Sequence, residues 1–165
     1  MARLLYLAFV TALSLVSTVE PAVAQRAVIV VRHAEKLDQS KDPPLSEAGT
    51  ARAVRLATML RDAQVRGLYA TEYRRTRDTL APLGEALSLS VSVVDSGDPE
   101  ALVRRMRTDH ADGVVVVAGH SNTVPRILEL LGASPPVQLA DDEYDSLFVV
   151  TPRGDGPPTV VRLHF

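Results

Sequence analysis

Two short runs of apolar, β-branched residues most constrain the fold of this chain. Residues 27–31 (AVIVV) and 114–117 (VVVV) have the composition of strands that are buried on both faces of a parallel sheet. Polar side chains follow each run, namely Arg32 and His33 after the first and His120 shortly after the second. Ligands of open α/β sheets bind beyond the carboxyl ends of the strands. The sequence therefore places two histidines and an arginine where they can meet a ligand.

Strand and helix patterns alternate along the rest of the chain. Apolar residues at helical spacing predict four helices, over about 46–62 with Ser46 as N-cap, around Leu80, Leu83 and Leu87, from Asp98 and Pro99 to about Arg107, and from about Val124 to Leu131, closed by Gly132. Further strands are predicted at 65–70, 91–94, 147–150 and 159–163. This order predicts a three-layer αβα sandwich with a mainly parallel central sheet and an antiparallel edge formed by the last two strands.

Residues 1–24 have the pattern of a secretory signal peptide. Arg3 precedes an apolar stretch from Leu4 to Val16, and Ala22-Val23-Ala24 provides a cleavage site of small residues. A retained membrane anchor is the alternative, but the apolar stretch is shorter than the roughly 20 residues that a span needs. We therefore expect a secreted, periplasmic protein with no stable membrane insertion after cleavage, in which residues 25–165 form a single domain.

Composition excludes several classes of function. The chain has no cysteine, so it has no thiolate nucleophile, no disulfide and no cysteine-ligated metal. Its formal net charge is -2, which provides no strong electrostatic field for nucleic acid. We expect neither a nucleic-acid partner nor a bound metal or other cofactor.

The basic residues at the strand ends suit the chemistry of phosphoryl groups. Arg32, and Arg75 just inside the helix that follows the 65–70 strand, offer planar forks that can hold phosphoryl oxygens. Two guanidinium groups disfavour imidazolium, so the imidazole of either His33 or His120 can stay neutral and attack phosphorus, while the other stabilises charge on the oxygens. Because phosphoryl transfer needs mainly positioning and electrostatic stabilisation, these four residues are candidate catalytic residues.

The order of these residues resembles that of the histidine phosphatase (phosphoglycerate mutase-like) superfamily. Its Arg-His-Gly signature after the first strand is similar to RHAEK at 32–36, in which Ala34 replaces the glycine. PLSEAG at 44–49 resembles the start of the superfamily's first helix, and its second histidine follows a hydrophobic strand as His120 does. The resemblance spans residues 27–150 and implies a phosphoglycerate mutase-like fold.

A second motif carries the same resemblance. The superfamily pattern SPLxRAxxTA is similar to TEYRRTRDTL at 71–80. Arg75 stands in the arginine position and Thr79 in the threonine position, whereas Thr76 replaces the alanine.

The resemblance implies a phosphatase that hydrolyses phosphomonoesters. His33 would be the nucleophile that becomes phosphohistidine, Arg32, Arg75 and His120 would form the phosphate pocket, and water would then release phosphate. Glu35 and Asn122 would complete the substrate-binding wall. Export favours net hydrolysis over a mutase reaction, and the implied partner is a small phosphorylated substrate; its identity and the oligomeric state are left open.

The sequence leaves the proton donor for the leaving group open. One branch of the superfamily uses an acidic residue after the second arginine, where Asp95, Asp98 and Glu100 lie. Asp98 is the candidate, with helix N-capping as its alternative role. The other branch has aspartate directly after the second histidine, but this chain has Ser121 there. Glu143 in the acidic loop is a further candidate.

Two other functions remain as alternatives. Residues 119–123 resemble an incomplete G-x-S-x-G elbow, in which Ser121, an aspartate from 141–155 and His164 follow the order of a serine hydrolase. The final glycine and an oxyanion loop are missing, however, and this function would give the strand-end arginines no task. The second alternative is a non-catalytic module that binds a phosphorylated ligand.

Overall fold

The computed structural model describes residues 26–165, which contain six strands and four helices. In chain order they are β1 (Ala27–Arg32), α1 (Glu47–Leu60), β2 (Val65–Thr71), α2 (Arg74–Leu87), β3 (Val91–Val94), α3 (Pro99–Asp109), β4 (Val114–Gly119), α4 (Thr123–Leu130), β5 (Ser146–Thr151) and β6 (Thr159–His164). The predicted signal peptide, residues 1–24, lies outside the described residues. Within 26–165, no helix has the length and apolarity that crossing a membrane requires.

All six strands belong to one sheet with the order β3-β2-β4-β1-β5-β6. The first four are parallel, whereas β5 pairs antiparallel with β1 and β6 antiparallel with β5. The predicted parallel sheet with an antiparallel edge is confirmed. Because β1 and β4 are neighbours in register, Arg32 pairs with Gly119, so His33 and His120 leave the sheet side by side.

The helices cover both faces of the sheet. α1 and α2 pack on one face, with Leu56, Leu80 and Leu83 buried against it. α3 and α4 pack on the other face, where Met106 and Ile127 are buried. The β-branched residues of β1 and β4 therefore contribute to two cores at once, which explains their unbroken apolar runs. The three-layer αβα prediction is confirmed.

Helix ends follow the predicted signals, whereas the strands run further than their apolar runs. The hydroxyl of Ser46 accepts a hydrogen bond from Gly49 at the start of α1, and Gly132 follows α4 with a φ of +93°. The sheet continues to Arg32 in β1, Thr71 in β2 and Gly119 in β4, because backbone pairing does not depend on the side chain. The candidate residues are thus held by the sheet itself or by the first residues beyond it.

Candidate active site

The ends of β1, β2 and β4 open into a cavity of about 700 Å³. Arg32, His33, Arg75 and His120 all line it. The rings of the two histidines are 5.2 Å apart between centroids, at an angle of 64°. The structure thus brings together the four residues that the sequence singled out, and their catalytic roles stay predictions.

Backbone groups hold His33 in one orientation. Its own N–H donates to the carbonyl of Gly119 over 2.8 Å, and its Nδ1 lies 2.8 Å from the carbonyl oxygen of Ala34. A carbonyl oxygen only accepts, so Nδ1 carries the proton and donates it. In the neutral ring, Nε2 is then the nitrogen with the free lone pair. This is the tautomer that a nucleophilic histidine requires.

The hydroxyl of Thr79 joins the turn after β1 to the first turns of α2. It accepts a hydrogen bond from the backbone N–H of Ala34 over 2.9 Å and donates to the carbonyl of Arg75 over 2.7 Å. One buried side chain therefore fixes the distance between the segment that carries His33 and the segment that carries Arg75.

His120 is held by side chains. Its Nε2 lies 2.8 Å from Oγ1 of Thr71, and its Nδ1 lies 3.3 Å from Nη2 of Arg75. Its backbone N–H donates to Oγ1 of Thr123 over 2.8 Å. A Cβ on Gly119 would come within 2.7 Å of that same hydroxyl oxygen, so the tight turn after β4 requires glycine.

Each arginine lies over a tyrosine. The guanidinium of Arg32 is 4.3 Å from the ring centre of Tyr144, and that of Arg75 is 4.4 Å from the ring centre of Tyr73. Arg32 also donates from Nη1 to the carbonyls of Ala140 and Glu143, over 2.8 and 3.1 Å. Aromatic faces and neutral carbonyls orient these side chains without neutralising their charge.

The two guanidinium groups keep unused donors. The Nε atoms of Arg32 and Arg75 are buried and have no hydrogen-bond partner within residues 26–165. Neither arginine forms a salt bridge in this part of the chain, although six other arginines do. Since a buried donor without a partner is costly, the arrangement favours an anion with several acceptor oxygens.

Both imidazoles are neutral over a wide pH range. Burial, and then the charges of the neighbouring histidine and of Arg75 and Arg32, lower the pKa of His33 to about 3, against the opposing bond to Ala34. Burial, followed by the charge of Arg75, lowers the pKa of His120 to about 4. At pH 7 the site therefore combines two fixed positive charges with two neutral nitrogen bases.

Glu35 is not in the predicted substrate-binding wall. Its carboxylate accepts hydrogen bonds from Nε and Nη2 of Arg52 on α1, the shortest over 2.6 Å, and this contact lowers the pKa of Glu35. Its backbone carbonyl accepts from the N–H of Ser46. A Cβ on Gly49 would lie 2.2 Å from the same carbonyl, which shows how closely α1 approaches this segment. Glu35 anchors the turn on α1 and does not line the cavity.

Asp98 is an N-cap and does not line the cavity. Its carboxylate accepts from the N–H of Ala101 over 2.7 Å, as the alternative role required. Its neighbours Ser96 and Gly97 do line the cavity, through their loop. The loop that the sequence singled out therefore lines the cavity, whereas the carboxylate of Asp98 caps α3.

Three other acidic residues, among them the proton-donor candidate Glu143, differ in what they contact. Glu143 is bound by Ser146 and Arg162, and despite burial these bonds lower its pKa. Glu72 accepts from the N–H and hydroxyl of Ser96, and although burial raises its pKa, these bonds hold it below its usual value. Asp141, which the sequence did not single out, is the one carboxylate among the cavity-lining residues of 26–165.

Asn122 and Ser121 line the cavity, and the substrate-binding role of Asn122 stays a prediction. Ser121 has no hydrolase triad, because His164 pairs with Asp145 over 3.3 Å and does not line the cavity. Within residues 26–165, no three His, Asp or Glu side chains cluster in a way that could hold a metal ion.

Sequence reasoning missed both tyrosines. Tyr73 lies two residues before Arg75, and its ring is 5.1 Å from that of His120. Proximity to the arginine motif was a usable signal for Tyr73. Tyr144 lies in an acidic loop without periodicity, and its contact with Arg32 has no counterpart in the sequence pattern.

Known families and structures agree with this fold and with the motifs. The model of the histidine phosphatase superfamily (branch 1) matches residues 28–96. A mycobacterial glucosyl-3-phosphoglycerate phosphatase is 16% identical with a TM-score of 0.65, and the match covers 85% of this chain and 98% of that chain. The protein histidine phosphatase SixA, solved with tungstate, is 22% identical with a TM-score of 0.64, covering 84% and 96%.

A structure described as mycobacterial hydrolase 2 is 17% identical with a TM-score of 0.62, covering 83% of this chain and 88% of that chain. Among curated proteins, no sequence matches this chain. At these identities the structural likeness shows the fold. The family match over residues 28–96 supports the resemblance stated from the sequence motifs, and the solved structures share the fold.

Proposed function

We propose that this chain hydrolyses phosphomonoesters through a phosphohistidine on His33, as its resemblance to the histidine phosphatase superfamily implies. One observation carries the proposal: two guanidinium groups, whose buried Nε atoms have no partner within residues 26–165, line the same cavity as two neutral imidazoles. A phosphoryl group satisfies this site, since its oxygens accept hydrogen bonds and its charge offsets that of the arginines.

The first step transfers the phosphoryl group to the enzyme. Arg32 and Arg75 hold the phosphoryl oxygens while Nε2 of His33 attacks phosphorus. An N–P bond forms, and the bond from phosphorus to the leaving oxygen breaks in line. His120 bonds the phosphoryl oxygens through Nδ1, with the proton between them coming from a monoanionic phosphoryl group of the substrate. The site supplies mainly position and charge, as phosphoryl transfer requires.

The second step regenerates the enzyme. Water attacks the phosphorus of phosphohistidine, and the N–P bond breaks. Inorganic phosphate leaves, and the electron pair of that bond returns to Nε2 of His33. The same arginines stabilise both transition states, because the phosphoryl oxygens stay in one place while the entering and leaving groups exchange.

Asp141 is our candidate for the proton donor to the leaving oxygen. It lies at the edge of the cavity, in the loop whose carbonyl groups bind Arg32. In the second step the same carboxylate would take a proton from the attacking water. Asp98 cannot do this from its N-cap position.

Turnover of p-nitrophenyl phosphate by the purified protein and by His33→Ala tests the function. We expect release of nitrophenol by the wild type and none by the variant. Rapid quenching of the wild type with a radiolabelled phosphomonoester should trap a phosphoenzyme that is stable to base and labile to acid. An inactive wild type that still binds inorganic phosphate would instead favour the non-catalytic binding module.

The substrate class is open to a direct screen. A mycobacterial phosphatase of similar fold has been solved with inorganic phosphate, and its described substrate is glucosyl-3-phosphoglycerate. SixA is described as a protein histidine phosphatase. We propose small phosphomonoesters such as sugar phosphates for this chain, and phosphate release from sugar phosphates, phosphorylated envelope fragments and phosphohistidine peptides would rank them.

We also propose that the reaction takes place outside the cytoplasm. The proposal rests on the signal pattern of residues 1–24 in the sequence. Osmotic-shock fractionation of cells that express the full chain should release a processed protein that begins near Gln25. Retention in the cytoplasmic fraction would contradict it.

A further inference from the structure

Two threonine hydroxyls form a chain of short contacts that ends at the ring of His120. Thr71 ends β2 and Thr76 lies in the first turn of α2, and both side chains are buried. Oγ1 of Thr71 is 2.8 Å from Nε2 of His120 and 2.9 Å from Oγ1 of Thr76. Oγ1 of Thr76 is in turn 2.7 Å from the carbonyl oxygen of Tyr73 and 3.1 Å from that of Thr71.

The carbonyl groups at the far end fix the direction of this chain of hydrogen bonds. A carbonyl oxygen only accepts, so the single hydroxyl proton of Thr76 is donated to a carbonyl. Thr76 Oγ1 must then accept from Thr71. Thr71 has thereby used its own proton and can only accept from Nε2 of His120. If Thr76 instead donated its proton to Thr71, Oγ1 of Thr76 and the carbonyl oxygen of Tyr73 would lie 2.7 Å apart with no proton between them.

We infer that Thr76 is a positioning residue that fixes the Nε2–H tautomer of His120 and so turns the lone pair of Nδ1 toward the cavity. The other side of the ring agrees, because Nη2 of Arg75 is a donor only and lies 3.3 Å from Nδ1. Resting on the proposed function, the consequence is that Nδ1 takes the proton of a monoanionic phosphoryl group and donates it back in a hydrogen bond to the phosphoryl oxygens, while Nε2 stays bonded to Thr71.

This role is separate from ordinary helix packing of threonine. Thr58 in α1 and Thr108 in α3 each donate to the carbonyl four residues earlier, over 3.0 Å, on exposed surfaces. Thr76 makes the same kind of bond, but its oxygen also receives the hydroxyl of Thr71. In the superfamily pattern that resembles this segment, alanine stands at the position of Thr76, so the last hydroxyl of the chain is a feature of this sequence.

The tautomer can be measured without any assay of activity. In protein labelled with ¹⁵N-histidine, proton–nitrogen correlation spectra distinguish a protonated ring nitrogen from one with a lone pair, and His120→Asn assigns the signals. We expect Nε2–H in the wild type, in Thr76→Ser and in the matched surface control Thr58→Val. In Thr76→Val, which keeps the shape but loses the hydroxyl, Thr71 can turn its proton toward Nε2, and both tautomers should appear.

Two spectroscopic outcomes would overturn the inference. One is the Nδ1–H tautomer in the wild type, and the other is an unchanged tautomer in Thr76→Val. Should Thr76→Val fail to fold, Thr76→Ala replaces it, and the wild-type spectrum alone still decides the direction of the chain.

Kinetics on p-nitrophenyl phosphate separate positioning from packing. By analogy with other partners that orient a histidine, we expect kcat of Thr76→Val to fall about tenfold with a small change in KM. Thr76→Ser should restore kcat; continued loss in the serine variant would assign the effect to shape. A wild type without turnover would refute the proposed phosphatase, whereas the spectra would still test the tautomer.

Discussion

The cavity is built from two halves with the same residue types and different supports. The His33 half contains Arg32, His33 and Tyr144, and the His120 half contains Arg75, His120 and Tyr73. In the first half, backbone carbonyls hold the imidazole and the guanidinium. In the second, a threonine holds the imidazole, and the guanidinium contacts the imidazole itself.

The difference in support corresponds to a difference in chemistry. A carbonyl bonded to Nδ1 leaves Nε2 of His33 as the free base, whereas the hydroxyl of Thr71 on Nε2 leaves Nδ1 of His120, which Arg75 contacts, as the nitrogen without a proton. In the proposed mechanism the first half supplies the nucleophile, and the second supplies a base that becomes a hydrogen-bond donor. Similar residues therefore take different roles because their neighbours expose different nitrogens.

The largest expected effect separates the two histidines. His33→Ala removes the only nucleophile of the proposed mechanism, and loss of a nucleophile typically lowers kcat by about 10⁶-fold. His120→Ala removes one stabilising group, for which about 10²- to 10³-fold is typical. Steady-state kcat on p-nitrophenyl phosphate measures both. Equal losses, or a trapped phosphoenzyme in His33→Ala, would mean that the roles of the two halves are reversed or shared.

Substitutions of the two arginines should have more similar effects on turnover than substitutions of the two histidines. Arg32→Ala and Arg75→Ala each remove a buried guanidinium from the phosphate pocket, and we expect kcat/KM to fall about 10²- to 10³-fold for each. Lysine should restore little in either position, since it lacks the planar fork. Arg77→Ala, on the exposed side of α2, is the control and should retain wild-type turnover. Near wild-type activity of Arg75→Ala would refute the pocket assignment.

Asp141, in the same loop as Tyr144, has the proposed role of proton donor. Substrates with different leaving groups test this role. Asp141→Asn should slow hydrolysis of an alkyl phosphate by about 10²-fold, within the usual range for general acid catalysis. It should barely affect p-nitrophenyl phosphate, whose leaving group needs no proton. Asp98→Asn, which preserves an N-cap, serves as the control. Equal slowing of both substrates would remove Asp141 from the role of proton donor.

The histidines of the two halves should become protonated, and kcat/KM should fall, only well below neutral pH. The pKa values of His33 and His120 are lowered to about 3 and about 4, so both rings stay neutral at pH 5. The acidic limb of kcat/KM, corrected for ionisation of the substrate, should therefore lie near pH 4 and not near 6.5. A limb near 6.5 would show that the free enzyme does not hold its imidazoles neutral.

The same shifts make the folded state sensitive to acid. Unfolding returns both histidines to an ordinary pKa near 6.5, so between about pH 4 and 6.5 the unfolded chain binds more protons than the folded one. The free energy of unfolding should consequently decrease as the pH falls from 7 to 5. Urea titrations at pH 7 and pH 5 measure this free energy, and its decrease should be smaller for His33→Gln than for the wild type.

Patterns of local origin were predictable from the sequence. The apolar runs of β1 and β4 indicated strands covered on both faces, and Ser46 and Asp98 marked the starts of α1 and α3. Strand ends were placed too early in the sequence because Arg32 pairs with Gly119 through backbone groups that composition does not report. Convergence of the four pocket residues also followed, since the carboxyl ends of parallel strands meet at one edge.

Contacts between distant segments were not predictable. The orientation of Glu35 depends on Arg52, which α1 brings beside the turn after β1. Asp141 and Tyr144 reach the cavity because Arg32 binds carbonyl groups of their loop, more than 100 residues away in the chain. A periodic pattern records which face of an element is buried, but it does not record which loop crosses a strand end.

The smallest expected effect concerns the two tyrosines. Tyr144→Leu removes a ring that lies 4.3 Å from the guanidinium of Arg32, and a partly exposed cation–π contact contributes about 0.5 to 1 kcal/mol. We expect KM for p-nitrophenyl phosphate to rise about twofold to fivefold at unchanged kcat, and Tyr144→Phe to behave as the wild type.

Tyr73→Leu should cost more, because the ring of Tyr73 lies closer to that of His120, at 5.1 Å, than the ring of Tyr144 does to that of His33, at 5.9 Å. A decrease in kcat as well as a rise in KM would then identify the His120 half as the one in which side chains support each other. If Tyr144→Phe were instead as impaired as Tyr144→Leu, the hydroxyl and not the ring would contact the substrate, and the two halves would differ in recognition as well as in support.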